Sequence, residues 1–214
     1  MANSKDFHIS FLRHGESVAN ANGLLQGQSD WPLTETGVQQ AKTLALQWES
    51  TNRQFDRAIS SPLVRAKSTA QEIAKILQFP IAYESDWCER NFGSFEKMSY
   101  DDIINKDGGV DFSHPYETIG GGESLLDLYF RAGRAVQSLI QKPPGNYLVV
   151  AHGAILNMAL YHILGLSPIG NPKSPRFVFG NTGYVDLMYM PEGQQWRILA
   201  FVNHSRQGEE IQGR

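Results

Sequence analysis

Two apolar runs that stop abruptly at a histidine constrain this chain more than any other feature. Phe7-His8-Ile9-Ser10-Phe11-Leu12 is short, alternating and rich in residues that suit a pleated strand, and it ends at Arg13-His14-Gly15. Tyr147-Leu148-Val149-Val150-Ala151 is a continuous apolar run, as a strand buried on both faces carries, and it ends at His152-Gly153. Between them the spacing turns helical. Val38, Ala41, Leu44, Ala45 and Trp48 recur at helix period behind Thr34, a suitable N-cap, and Ala66, Ala70, Ile73, Ala74 and Leu77 do so behind Ser61-Pro62, with the proline expected in the first turn. A third helix is expected to open at Glu123, with Leu125, Leu126, Leu128, Tyr129, Ala132, Val136 and Leu139 on its apolar face, and to end at Pro143-Pro144-Gly145; a fourth runs from Ala154 to Leu164.

Further short strands are expected at Phe55 to Ser60 and at Ile81 to Tyr83, and a hairpin of Tyr184 to Met190 and Trp196 to Val202 about Pro191-Glu192-Gly193-Gln194 at the sheet edge. Strands alternating with helices predict an α/β fold, a three-layer sandwich with a mainly parallel sheet and helices on both faces. In such a sheet the carboxyl ends of the strands share one edge, where open α/β folds place their ligand crevices. His14 and His152 are therefore expected to meet there. Arg65, one turn into the helix after the second strand, joins them beside a helix N-terminus, which already favours an anion. Gly15 is expected to let the backbone approach the ligand. Any one of these residues alone could be an ordinary strand end or an exposed helix arginine; three junctions carrying such side chains point to a site.

Composition narrows what the site serves. Nineteen Lys plus Arg against 22 Asp plus Glu give a formal charge of −3, with no basic excess for a nucleic-acid backbone or an anionic membrane. The single cysteine, Cys88, has no internal disulfide partner and no CxxC spacing, and Met1 to Asp6 is polar with no signal segment behind it. A cytoplasmic protein of one domain over residues 1–214 is expected, with a frayed polar end from Ser205. No carboxylate cluster has metal-ligand spacing, and no cofactor is expected. Oligomeric state is not readable, because outward-facing Trp, Phe and Leu residues cannot be separated from core ones by pattern.

From Asn91 to Gly122 periodicity disappears, and Gly108-Gly109, Pro115 and Gly120-Gly121-Gly122 punctuate the chain. The aromatics Phe92, Phe95, Tyr100, Phe112 and Tyr116 favour a packed, lid-like insertion over disorder. Its cations are Lys97 and Lys106 against Glu96, Asp101, Asp102, Asp107, Asp111 and Glu117, a net −4.

Leu12-Arg13-His14-Gly15-Glu16-Ser17, with Asn20, Arg65, Glu89 and Ala151-His152-Gly153, resembles the histidine phosphatase superfamily in its phosphoglycerate mutase-like branch, from residue 7 to about 204. The resemblance implies a phospho-histidine mechanism. His14 would attack phosphorus, Arg13, Arg65 and His152 would hold the phosphoryl oxygens, and Glu89 would protonate the leaving oxygen. Asn20, Gln26, Gly27, Ser17 and Gly153 would bind substrate, and Glu16 would orient its neighbours. His114 could touch ligand from the insertion, while His8, His162 and His204 read as structural. Phosphoryl transfer needs in-line positioning and charge compensation more than covalent ingenuity, and two guanidinium forks with an imidazole supply both.

Phosphatase and mutase share the first half-reaction. A mutase must also hold a second phosphorylated molecule and exclude water, which asks for more basic residues than the acidic insertion offers. The expectation is therefore hydrolysis of small phosphomonoesters, with an apolar or ring-bearing body favoured. Phosphoglycerate mutase is the alternative, and a non-catalytic phosphate-binding module a lesser one. Lys97 stands where many relatives carry glycine.

Overall fold

Side-chain alternation in the central strands decides the layering. In β1 (Phe7–Arg13), Phe7, Ile9 and Phe11 join one apolar cluster while Leu12 joins another on the opposite face. A computed structural model describes residues 5–106, 110–169 and 175–204 of the chain. After β1 come α1 (Val18–Ala21), α2 (Glu35–Ser50), β2 (Arg57–Ser60), α3 (Val64–Leu77), β3 (Ile81–Tyr83), α4 (Tyr100–Lys106), α5 (Leu125–Ile140), β4 (Asn146–Ala151), α6 (Gly153–Leu164), β5 (Tyr184–Met190) and β6 (Gln195–Val202).

The strands form one six-stranded sheet in the order β3-β2-β4-β1-β5-β6. The first four are mutually parallel; β5 runs antiparallel to β1 and β6 antiparallel to β5. Helices α2 and α3 cover one face through Ala41, Leu44, Trp48, Ala66, Ala70 and Ile73, and α5 and α6 cover the other through Leu128, Val136, Leu139, Ile155, Leu156 and Leu160. Each fully buried Leu, Ile or Phe contributes about 1.5–3 kcal/mol, so both faces are anchored by many such residues. The mixed α/β sandwich is the architecture expected from the alternation. Among the described residues no helix is long and apolar enough to cross a membrane. The expected frayed end from Ser205 lies outside the described residues.

Three local expectations change. Pro62 does not open α3; Leu63 is its N-cap without a side-chain bond, and the carboxylate of Asp30, from another loop, accepts from the Val64 N–H at 2.9 Å. Helix α5 starts at Leu125, not Glu123. Ser124 caps it in a reciprocal box with Asp127, a motif worth about 1 kcal/mol, and this frees Glu123 for a different partner.

The insertion is not devoid of regular structure, since it holds α4. Ser99 Oγ accepts from the Asp102 N–H there, and between residues 101 and 105 α4 buries Ile103 alone, too little for a period to show in sequence. Gly15 serves packing as well. A Cβ on it would lie 2.5 Å from the Gly37 carbonyl oxygen, and one on Gly37 only 2.0 Å from that of Glu16, so the exit of β1 is pressed against the start of α2.

Candidate active site

Register brings the two histidines together. Arg13 pairs with Ala151 across the parallel β1–β4 ladder, so the next residue of each strand, His14 and His152, leaves the sheet edge side by side. Their ring centroids lie 5.1 Å apart. The His14 N–H donates to the Ala151 carbonyl at 3.1 Å, which ties the two junctions directly.

His14 is 2 % exposed, and its Nδ1 lies 2.7 Å from the Gly15 carbonyl oxygen. Since a carbonyl only accepts, Nδ1 carries the proton and Nε2 keeps its lone pair. Burial holds this histidine well below the usual range, and the guanidinium groups of Arg65 and Arg13 push the same way. It is a neutral, oriented imidazole, the form a nucleophile needs. His152 is also fully buried and held well below the usual range, first by burial and then by Arg65 and His14.

Arg65, on the first turn of α3, is wholly buried. Its Nη2 donates to the Gly27 carbonyl at 2.7 Å and its Nη1 to that of Ser29 at 2.9 Å. Burial lowers this guanidinium, against the pull of the Glu89 and Asp30 carboxylates. Arg13 reaches across to the Phe179 carbonyl through Nη1 at 2.6 Å. Among the described residues, Arg65 Nε and His152 Nδ1 are buried with no hydrogen-bond partner. Trp48 Nε1, Trp87 Nε1 and Arg90 Nη2 are unpartnered too, so it is the place of the first two, beside His14 at the strand ends, that matters. Together with Arg13 they make a buried, cationic place beside His14 that suits an anion.

Glu89, half-buried, faces this group from the side. Its Oε1 accepts from the N–H of Ala154 and of Ile155, both at 3.2 Å, at the N-terminus of α6, and from its neighbour Arg90 N–H at 2.9 Å. The Arg90 guanidinium does not pair with it. That side chain donates to the carbonyls of Glu123 and Phe112 instead.

The residues expected to touch substrate divide. Ser17 Oγ donates to Gln26 Oε1 at 2.7 Å and caps α1 with Asn20, whose Oδ1 also accepts from Asn181; Ser17 and Gln26 therefore shape the loop between β1 and α2. Gly27, at a positive φ of 52°, presents its carbonyl to Arg65, and a Cβ there would strike the Glu96 carboxylate. Gly153 opens α6 with clear space beside its Cα. Glu16 is buried and accepts from Thr34 Oγ1. His114 sits on the surface turn of the insertion, where its Nδ1 accepts from the Glu117 N–H.

Several contributors escaped sequence reading. Ser61 Oγ lies 2.8 Å from His152 Nε2, and Thr69 Oγ1 accepts from the Gly15 N–H. Asn181 donates to the His14 carbonyl, and the Thr182 N–H reaches the carbonyls of Arg13 and His14. Gly180-Asn181-Thr182-Gly183, just before β5, was the legible signal for this last group, with Thr182 at a positive φ of 57°. Among the described residues no group of three or more His, Cys, Asp or Glu side chains is arranged to hold a metal ion.

The family model described as histidine phosphatase superfamily (branch 1) matches residues 9–204. A probable phosphoglycerate mutase GpmB of Salmonella choleraesuis is 36% identical over 163 residues, covering 74% of this chain and 75% of that protein. Among solved structures, a mycobacterial glucosyl-3-phosphoglycerate phosphatase bound to VO3 superposes with a TM-score of 0.81 at 25% identity over 93% of this chain and 100% of that one. A phosphoserine phosphatase of Entamoeba histolytica in complex with 3-phosphoglyceric acid gives 0.77 at 26% identity over 94% and 98%.

Proposed function

The chain belongs to the histidine phosphatase superfamily, branch 1, and from that footing we propose that it hydrolyses small phosphomonoesters through a phospho-histidine on His14. The observation that carries this reading is the pairing of a neutral, carbonyl-oriented His14 with the buried, unpartnered Arg65 Nε and His152 Nδ1. His14 Nε2 attacks phosphorus in line, and the phosphorus–oxygen bond to the leaving group breaks. Arg13, Arg65 and His152 compensate the equatorial oxygens, whose charge is the main thing a catalyst must manage. Ser61 supports His152 in this: if its hydroxyl donates to Nε2, the imidazole proton sits on Nδ1, where a phosphoryl oxygen can accept it.

Glu89 gives its proton to the departing oxygen and then takes one from the water that cleaves the phospho-histidine. Asn20, with Oδ1 engaged by its neighbours, offers Nδ2 to a phosphoryl oxygen, while Ser17, Gln26 and Gly27 hold the loop that carries it. Gly153 leaves room beside the phosphate.

Hydrolysis is favoured over mutase chemistry by the charge of residues 91–122, net −4. The second reading, phosphoglycerate mutase, is favoured by the relative of that name. Purified protein should release phosphate from an aryl phosphate in the presence of a chelator, and His14→Ala should lower kcat/KM by at least about 10³-fold. Full activity in that variant would overturn the mechanism. Rapid interconversion of 3-phosphoglycerate and 2-phosphoglycerate with added bisphosphate, outpacing phosphate release, would establish the mutase.

A further inference from the structure

We propose that Arg131 and Glu123 are positioning residues for Glu89, fixing the main chain on both sides of it and so setting where its carboxyl meets the leaving oxygen. This rests on the role given to Glu89 above. Residues 86–91 contain no strand, and one turn of 3-10 helix at Ser85–Trp87 is the regular structure there, so their carbonyls need partners from elsewhere.

Arg131, in the second turn of α5 and 8 % exposed, supplies them. Its Nη1 donates to the carbonyls of Asp86 at 2.9 Å and Cys88 at 2.6 Å, and its Nη2 to that of Glu89 at 3.0 Å. The same guanidinium grips Glu123 as a fork, Nε to Oε1 and Nη2 to Oε2, each at 2.7 Å. Glu123 then takes hold beyond Glu89. Its Oε2 accepts from the Asn91 N–H at 2.9 Å, and its own N–H donates to the Asn91 carbonyl at 2.8 Å.

Stability alone is a poor reason for such a pair. Desolvating two charges roughly offsets their attraction, and apolar residues of similar volume often do as well. What Leu or Met at 131 could not do is bind three carbonyls and a carboxylate at fixed angles. The frame ends at Glu89, whose side chain then lands on the N–H groups of Ala154 and Ile155 beside His152. A misplacement of about 1 Å at a proton donor can lower a rate by about 10²-fold, so a frame this far from the phosphate still bears on the reaction.

The test compares kcat/KM for dinitrophenyl, nitrophenyl and phenyl phosphate in wild type, Glu89→Gln, Arg131→Lys and Glu123→Gln. Dinitrophenolate leaves without a proton and phenolate does not. Displacing the acid should therefore leave the first substrate within about threefold of wild type and lower the last by about 10–100-fold. Inhibition by inorganic phosphate should stay unchanged in all variants. An equal loss on all three substrates, or no loss, in Arg131→Lys and Glu123→Gln overturns the inference when Glu89→Gln shows the graded pattern. If Glu89→Gln itself lacks that pattern, the assignment of the acid falls and this inference with it. Should Arg131→Lys melt early, Glu123→Gln, which removes a charge and keeps the shape, decides.

Discussion

On one side of the site the groups proposed to meet the phosphate follow strand ends: His14 after β1, His152 after β4, and Arg65 on the helix after β2. On the other, Glu89 and the 91–122 segment hang on turns, a 3-10 helix at Gly93–Phe95 and the seven residues of α4, with a separate small core of Leu25, Phe92, Ile103 and Ile119. The first side is positioned by a sheet ladder that neither half of the chain can shift alone. The second is positioned by side chains such as Arg131, Glu123 and Glu96. A phosphoryl group is the same in every substrate and suits a rigid edge; the leaving group differs between substrates and meets the part whose shape a few substitutions can change.

The largest test of that contrast is Arg65→Met. On the proposed mechanism Arg65 acts on the transferring phosphoryl group, so its loss should lower kcat/KM by about 10²–10³-fold, as removal of one preorganised donor does elsewhere. The fall should be uniform across good and poor leaving groups, unlike the graded loss expected for Glu89→Gln. A graded loss in Arg65→Met would merge the two sides into one.

Legibility in the sequence follows the same division. Apolar runs ending at His14 and His152 announced their strands because the sheet buries β4 and most of β1 on both faces. Parallel strands share an edge, so convergence followed from topology; the adjacency of β1 and β4 did not, since strand order depends on crossovers that leave no local trace. Helix α4 was invisible because one buried isoleucine makes no period. Arg131 carries no signal in the sequence, because most of its partners are carbonyls, which every residue has. Lys97 shows a different limit. Its φ of 73° explains why glycine suits that position, yet nothing in the neighbouring residues demands a left-handed turn there.

Acid should separate the two sides next. His14 and His152 are held below the usual histidine range by burial, then by Arg65, so the folded protein keeps them neutral where the unfolded chain takes up protons. With more protons bound in the unfolded state, stability rises with pH; it is lost as pH falls below about 7, through the unfolded value of roughly 6.5, until the folded values are reached. The slope is at most about 1.4 kcal/mol per pH unit per histidine. On the other side, hydrogen bonds from Ser113 and Ser124 hold Asp111 and Asp127 below the usual carboxylate range. Their contribution is present above the unfolded carboxylate value and disappears only as pH falls through the lower folded one. Between about pH 7 and 5 the thermal midpoint should therefore drop through the histidines alone, and His152→Asn should flatten the drop. An unchanged slope in that variant would move the titrating group off the sheet edge.

Ile103→Val is the mildest probe. Ile103 is fully buried in the small core of the insertion, and Phe95, Met98, Val110 and Phe112 pack against that core. Removing one methyl group there should weaken local packing by about 0.5–1.5 kcal/mol. Because this cluster is separate from the two that line the sheet, the loss should stay within it. Amide exchange should speed up across the insertion's described residues, while Phe11, Leu12 and Val149 in β1 and β4 keep their protection and dinitrophenyl phosphate is cleaved as before. Equal loss of protection in β1 would mean that the insertion and the sheet open together. The leaving-group side would then be as rigidly built as the phosphate side, and its side-chain frame would be an ordinary part of one cooperative core.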